Sequence, residues 1–159
     1  MSVNTRRKFF GSLAGAALLY PFVASCKGNL FMSNEIVLSV VLFSYVDRPI
    51  FDVLLNGSDI GAAIAYGGGG GIMTGETIPF GPQKLSWCLG GPEGMPRNGD
   101  TVIAKNALTI SRHQVPPNSR YLGVHIYPDD TAEFTFSQYI PEVSPRGETI
   151  LAEVRKRGR

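Results

Sequence analysis

Apolar residues in this chain recur at every second position over short runs, and a glycine or proline turn closes each run. That period belongs to half-buried β-strands. In the clearest case Leu122, Val124 and Ile126 alternate on one arm and Ala132, Phe134 and Phe136 on the other, with Pro128-Asp129-Asp130 as the turn between them. A turn of three residues sets Val124 opposite Phe134 and His125 opposite Glu133. Residues 36–46 form a run of Val, Leu, Ile, Phe and Tyr suited to a well-buried strand. After a turn at Asp47-Arg48-Pro49, residues 50–55 place Phe51, Val53 and Leu55 on one face. Asn56-Gly57 supplies the positive backbone angles of a tight hairpin, so residues 60–66 are the expected return strand. Residues 84–89 set Leu85, Trp87 and Leu89 against Lys84, Ser86 and Cys88, and residues 101–110 are a further strand. No long amphipathic helix is evident beyond a short one after Glu148. The expected fold is all-β, an antiparallel β-sandwich or small barrel.

Residues 67–71 are five consecutive glycines, which pack no side chains and lose much entropy on ordering. The Gly-Lys-Ser/Thr ending of a phosphate-binding loop is missing, so a flexible loop is expected.

The chain has 159 residues, the length of one domain, but its start is unlike the rest. Thr5-Arg6-Arg7-Lys8-Phe9-Phe10 resembles a twin-arginine export signal. An almost uncharged stretch follows and ends in Val23-Ala24-Ser25-Cys26, which resembles the lipobox cut by lipoprotein signal peptidase. Small residues at 24 and 25 let the backbone enter a narrow protease site, and the Cys26 thiol is the nucleophile that takes the lipid. A transmembrane anchor fits less well: residues 9–25 fall short of the ~20 needed to span a bilayer and include Pro21. The implied organisation is a signal at 1–25, a lipidated tether at 26–34, a β-domain at 35–150 and a basic tail at 151–159. Lys27 after the lipidated cysteine points to the outer membrane, with the domain facing the periplasm.

The net charge of +2 misleads about partners. Setting aside Arg6, Arg7 and Lys8 leaves 12 basic residues against 13 acidic ones. Removing Arg155, Lys156, Arg157 and Arg159 as well leaves 8 against 13, an acidic body. Nucleic-acid binding is therefore not expected. The basic tail is expected to be frayed and solvated, within reach of anionic headgroups beside the anchor. With Cys26 lipidated, Cys88 has no disulfide partner and is expected to be a buried, inert thiol.

Catalytic signals are sparse. Gly57-Ser58-Asp59-Ile60-Gly61 is not a nucleophile elbow, because glycine directly precedes the serine. With only His113 and His125, no His-x-x-x-His zinc pair exists, and neither a metal nor a cofactor is expected. One constellation could in principle act as nucleophile, base and orienting acid: Cys88, His125 and Asp129 or Asp130. The alternating strand around Cys88 favours an inert thiol, and His125 is expected in a half-exposed cross-strand pair with Glu133.

Several segments together carry a family resemblance: Phe43-Ser44-Tyr45-Val46-Asp47-Arg48-Pro49-Ile50, the glycine run, Ser86-Trp87-Cys88-Leu89, Pro96-Arg97-Asn98-Gly99-Asp100, and the segment from Tyr121 to Asp130. They resemble an uncharacterised family of proteobacterial lipoproteins, and the similarity spans roughly residues 36–150. The family brings no catalytic residues to carry over. What the resemblance implies is context, since similar proteins are encoded beside type VI secretion components and lipase-like effectors. Small periplasmic lipoproteins act there as immunity proteins. The expected function is a non-enzymatic immunity lipoprotein that inhibits a cognate effector, a phospholipase. Asp47, Arg48, Gly69, Asp129 and Asp130 are the expected contact residues. The alternatives are an envelope lipoprotein that supports assembly of a secretion apparatus and, more distantly, a hydrolase using Cys88.

Overall fold

A computed structural model describes residues 33–158, so Arg6, Arg7, Cys26 and the signal lie outside the described residues. The elements are β1 (Glu35–Ser44), β2 (Ile50–Leu55), β3 (Ser58–Asp59), β4 (Gly68–Pro79), β5 (Gly81–Gln83), β6 (Leu85–Leu89), β7 (Thr101–Ile103) and β8 (Leu108–Ile110). A 3-10 turn (Arg112–Gln114) leads to β9 (Tyr121–Ile126), β10 (Ala132–Ser137) and the helix α1 (Pro145–Arg157). One sheet has the order β10-β9-β1-β4, a second the order β3-β2-β6-β7, and β5 pairs with β8. Both four-stranded sheets are open, so the sandwich is the correct alternative and the barrel is not. The pairing is mixed, because β1 runs parallel to β9. Among the described residues no helix is long and apolar enough to cross a membrane.

The core lies between the two larger sheets. Leu38, Val40 and Leu42 of β1 and Leu122, Val124 and Ile126 of β9 meet Val53, Leu55, Leu85, Trp87 and Leu89 in one cluster. Each of these positions alternates with an outward residue, which is the pattern legible in the sequence. Full burial of one such side chain is worth about 1.5–3 kcal/mol.

The late hairpin has the expected register, with His125 opposite Glu133 and Val124 opposite Phe134. Asn56 and Gly57 both take positive φ, as their hairpin requires. Four expectations are corrected. Phe51 does not share a face with Val53 and Leu55: Asp52 takes φ +47° and the β2–β6 register shifts between Phe51 and Leu54, so Phe51 turns outward. Residues 60–66 form no return strand: the pairing with β2 falls earlier, at the two-residue β3, and within 60–66 only a single bridge joins Ala63 to Ile50. Residues 101–110 divide into β7 and β8, which pair in different sheets. The glycine run is not a loop: from Gly68 it is the first part of β4, antiparallel to β1.

The C-terminal segment also departs from expectation. Residues 151–157 are not a frayed tail but continue α1, so the boundary expected at residue 150 falls inside a helix. The local chemistry favours that helix. Ser144 caps it by accepting from the Gly147 N–H at 3.0 Å, and Pro145 occupies its first turn. Glu148 near the N-terminus and Arg155, Lys156 and Arg157 in the last turn oppose the helix dipole.

The helix starts where two glycines allow close approach. A Cβ on Gly147 would lie 2.1–2.4 Å from the Tyr45 ring, and one on Gly123 would lie 2.4 Å from Thr135 Oγ1 and 3.2 Å from Pro141. Tyr45 is buried, stacked on Tyr127 and hydrogen-bonded at its hydroxyl, so its ring cannot yield. Gly→Ala inside an ordinary helix stabilises by up to about 1 kcal/mol. Gly147→Ala is expected to destabilise instead, by about 1–3 kcal/mol from overpacking, as measured by urea unfolding.

Candidate functional site

The outward face of β9 and β1 is closed by a polar network that fixes α1. Tyr45, just beyond β1, places its hydroxyl 2.9 Å from His125 Nδ1 and 3.2 Å from the Ser144 N–H. His125 Nε2 lies 2.9 Å from Thr135 Oγ1. One proton arrangement satisfies every group: Ser144 N–H donates to Tyr45, Tyr45 donates to Nδ1, and the Nε2 proton goes to Thr135. On the next strand end, Tyr127 donates to Glu133 Oε2 at 2.8 Å and sits 2.7 Å from Ser144 Oγ. Phe43 stacks on His125 with centroids 4.7 Å apart, completing its enclosure.

His125 is therefore not the half-exposed partner of Glu133 expected from the hairpin. It is 0% exposed, and Glu133, although opposite in register, gives its carboxylate to Tyr127. Burial lowers the His125 pKa to about 4, against a smaller opposing pull from Glu133. Burial likewise pushes the Tyr127 phenol up, so it remains a donor.

Fixed in this way, α1 forms one wall of a groove of about 400 Å³. Asp47 and Arg48 from the turn after β1, Arg97, Asp130, Glu153 and Arg157 supply its charged lining. Each cation faces a carboxylate. Arg48 Nε lies 3.2 Å from Asp47, and its Nη1 donates to the Pro96 carbonyl at 2.7 Å. Arg97 and Lys105 reach the same Asp130 oxygen at 3.3 and 2.9 Å, and Arg157 lies 3.7 Å from Glu153. Asp130 is largely buried and takes φ +64°, a conformation that Asp tolerates better than most residues. A groove of matched charges offers charge-assisted hydrogen bonds to a polar partner surface, with no net attraction for a bare ion.

The structure thus gathers three of the five expected contact residues: Asp47, Arg48 and Asp130. Asp129 points elsewhere, 2.8 Å from Arg146 and 2.7 Å from the Thr131 hydroxyl, and these partners hold its carboxyl below the usual range. Arg146 in turn lies over the Tyr127 ring at 3.9 Å, tying the hairpin tip to α1. Gly69 lies within β4, the edge strand beside β1. Arg97, Glu153 and Arg157 were missed as site residues. Arg97 sits in one of the segments that carry the family resemblance, and Arg157 was assigned to the tail.

The suspected Cys88–His125 constellation is not assembled. Cys88 faces outward from β6, opposite the core residues Trp87 and Leu89, while His125 faces outward from β9 in the other sheet. Nor is Cys88 buried as expected: it is half-exposed, with Sγ 3.5 Å from Thr101 Oγ1. The strand parity that places Trp87 in the core forces its neighbour outward. Among the described residues no three His, Cys, Asp or Glu side chains are arranged to hold a metal ion.

The buried histidine sets a pH dependence. Unfolded, it takes a proton below about pH 6.5, whereas folded it resists until about pH 4. The unfolded state therefore binds more protons between those values, and stability falls as pH drops from about 6.5 to about 4. The full loss from this group approaches about 3 kcal/mol. Urea unfolding at pH 7 and pH 4.5 should show the loss, and His125→Gln, weaker at neutral pH, should show much less of it. No protein-family model matches the chain, and neither a curated protein nor a solved structure is similar to it.

Proposed function

We propose that this chain is a periplasm-facing immunity lipoprotein that binds and inhibits a cognate type VI secretion effector, a phospholipase, without chemistry of its own. The observation that carries the reading is the groove. Residues picked from separate turns of the sequence, Asp47, Arg48 and Asp130, line it together on a rigid sandwich. Its paired charges suit recognition of a protein surface, where such groups confer specificity and register more than raw affinity. The lipobox-like Val23-Ala24-Ser25-Cys26 supports the same reading. A lipid anchor would hold an inhibitor beside the phospholipid that the effector attacks and raise its effective concentration there.

Rescue from toxicity tests the proposal. The effector implied by the family resemblance is directed to the periplasm of a test bacterium, with and without this chain, and survivors are counted. The wild type and Cys88→Ser are expected to rescue equally. Arg97→Ala combined with Arg157→Ala should change stability by no more than about 1 kcal/mol, because both side chains are at least half exposed. The same pair is expected to weaken effector binding about tenfold or more, the equivalent of about 1.4 kcal/mol, and to lower rescue accordingly. Full rescue by that variant would move the contact surface off the groove. If the wild type fails to rescue although both proteins are exported, the immunity reading falls for that pair.

A further inference from the structure

The contacts that seat α1 are concentrated at its first turn. Gly147 is buried there, while Ile150, Leu151 and Val154 further along are only partly covered. Ser144 caps the helix and gives its backbone N–H to the Tyr45 hydroxyl at 3.2 Å. Arg146 bonds Asp129 and lies over the Tyr127 ring. Residues 138–144, which lead into the helix, form neither strand nor helix, so α1 is joined to β10 through a hinge.

The proton count at this seat is exact. Among the described residues the Tyr45 hydroxyl bonds two groups, His125 Nδ1 at 2.9 Å and the Ser144 N–H, and the second is a donor. Nδ1 can take the hydroxyl proton only while His125 is neutral. With a proton on Nδ1, two N–H groups and one O–H meet at a single oxygen, and the O–H has no acceptor. The Tyr45 ring cannot shift to find one, because it is buried between Tyr127 and Gly147. No free counter-charge meets the imidazolium either. Around it β1 presents Phe43, β10 presents Thr135 and Glu133, and the end of β9 presents Tyr127, which holds the Glu133 carboxylate. Arg146 and Asp129, at the α1 end of the network, are paired with each other.

We propose that His125 is an acid latch for α1: its protonation frees Ser144 from Tyr45, and the helix swings away about residues 138–144 while the sandwich stays folded. The helix buries little apolar surface and the sandwich core lies elsewhere, so this local opening costs less than global unfolding. It dismantles the groove, because Ile150, Glu153, Val154 and Arg157 leave with α1. The latch is closed at neutral pH and opens as pH falls toward about 4, where burial holds the imidazole. The device goes beyond the immunity reading and does not rest on it.

The test uses the full chain in mild detergent, with one readout for the helix and one for the sandwich. Amide hydrogen exchange over residues 145–157 follows α1, and emission from Trp87, the single tryptophan and a core residue, follows the sandwich. Between pH 7 and pH 4 the opening of α1, after correction for intrinsic exchange, is expected to rise about a hundredfold with Trp87 emission unchanged. His125→Gln should abolish that step. Glu133→Gln and Asp129→Asn, which remove the other nearby carboxylates, should keep it. Tyr45→Phe, which keeps the ring and loses the hydroxyl, should raise the opening already at pH 7. Loss of α1 protection only together with Trp87 emission, no acid step in the parent, or a step that survives in His125→Gln would each overturn the latch. So would a step that vanishes in Glu133→Gln or Asp129→Asn. If His125→Gln fails to fold, Tyr45→Phe still decides, since a helix as protected at pH 7 as in the parent overturns the latch.

Discussion

The Tyr45 side chain is the point on which the outer half of this structure depends. Its ring is the floor on which Gly147 rests, and its hydroxyl accepts a hydrogen bond from the Ser144 backbone N–H while donating one to His125 Nδ1. The sandwich core does not require that hydroxyl. The C-terminal segment does, because the start of α1 is held there by polar contacts and one close approach more than by apolar burial. A polar group enclosed this way is costly if any partner is lost, and the network is arranged so that each donor has an acceptor.

That arrangement links the fold to the groove. Ile150, Glu153, Val154 and Arg157 can line it only if α1 is seated on Tyr45 and Tyr127. Arg146 adds a second tie by covering the Tyr127 ring and bonding the Asp129 tip. The two adjacent aspartates of one turn thus do different work. Asp129 fastens the turn to the helix, while Asp130, held between Arg97 and Lys105, forms part of the groove floor. The ion pairs are mostly exposed and add little stability individually, so their arrangement matters more for what the groove can recognise.

The glycine run shows how one composition can serve opposite ends. Read alone, consecutive glycines predict disorder, since ordering them costs more backbone entropy than any other residue. Here the run is held at its two ends, Gly68 opposite Phe43 and Ile72 opposite Val41, against a strand already held on its other side by β9, and the glycines between accommodate a shift in register. What the glycines contribute is an edge without side-chain obstruction.

Much of the β-architecture was legible in the sequence because period-2 alternation is local. Leu122, Val124 and Ile126 had to face one way, the turn length set the β9–β10 register, and Asn56-Gly57 had to turn. Local pattern also placed Trp87 and Cys88 on opposite faces. Other features are properties of the assembled chain. The twist of Phe51 outward, the division of residues 101–110 between two sheets and the parallel pairing of β1 with β9 depend on which strands become neighbours. The burial of His125 needed Phe43, Tyr45 and the returning C-terminal segment, none of them near it in sequence. The groove was the least legible feature. The sequence determined which residues turn and which alternate, through steric rules acting over a few residues. Only the tertiary structure decided which charges meet, because Coulombic contact is set by distance in space and Arg48, Arg97, Asp130 and Arg157 come from four separate parts of the chain.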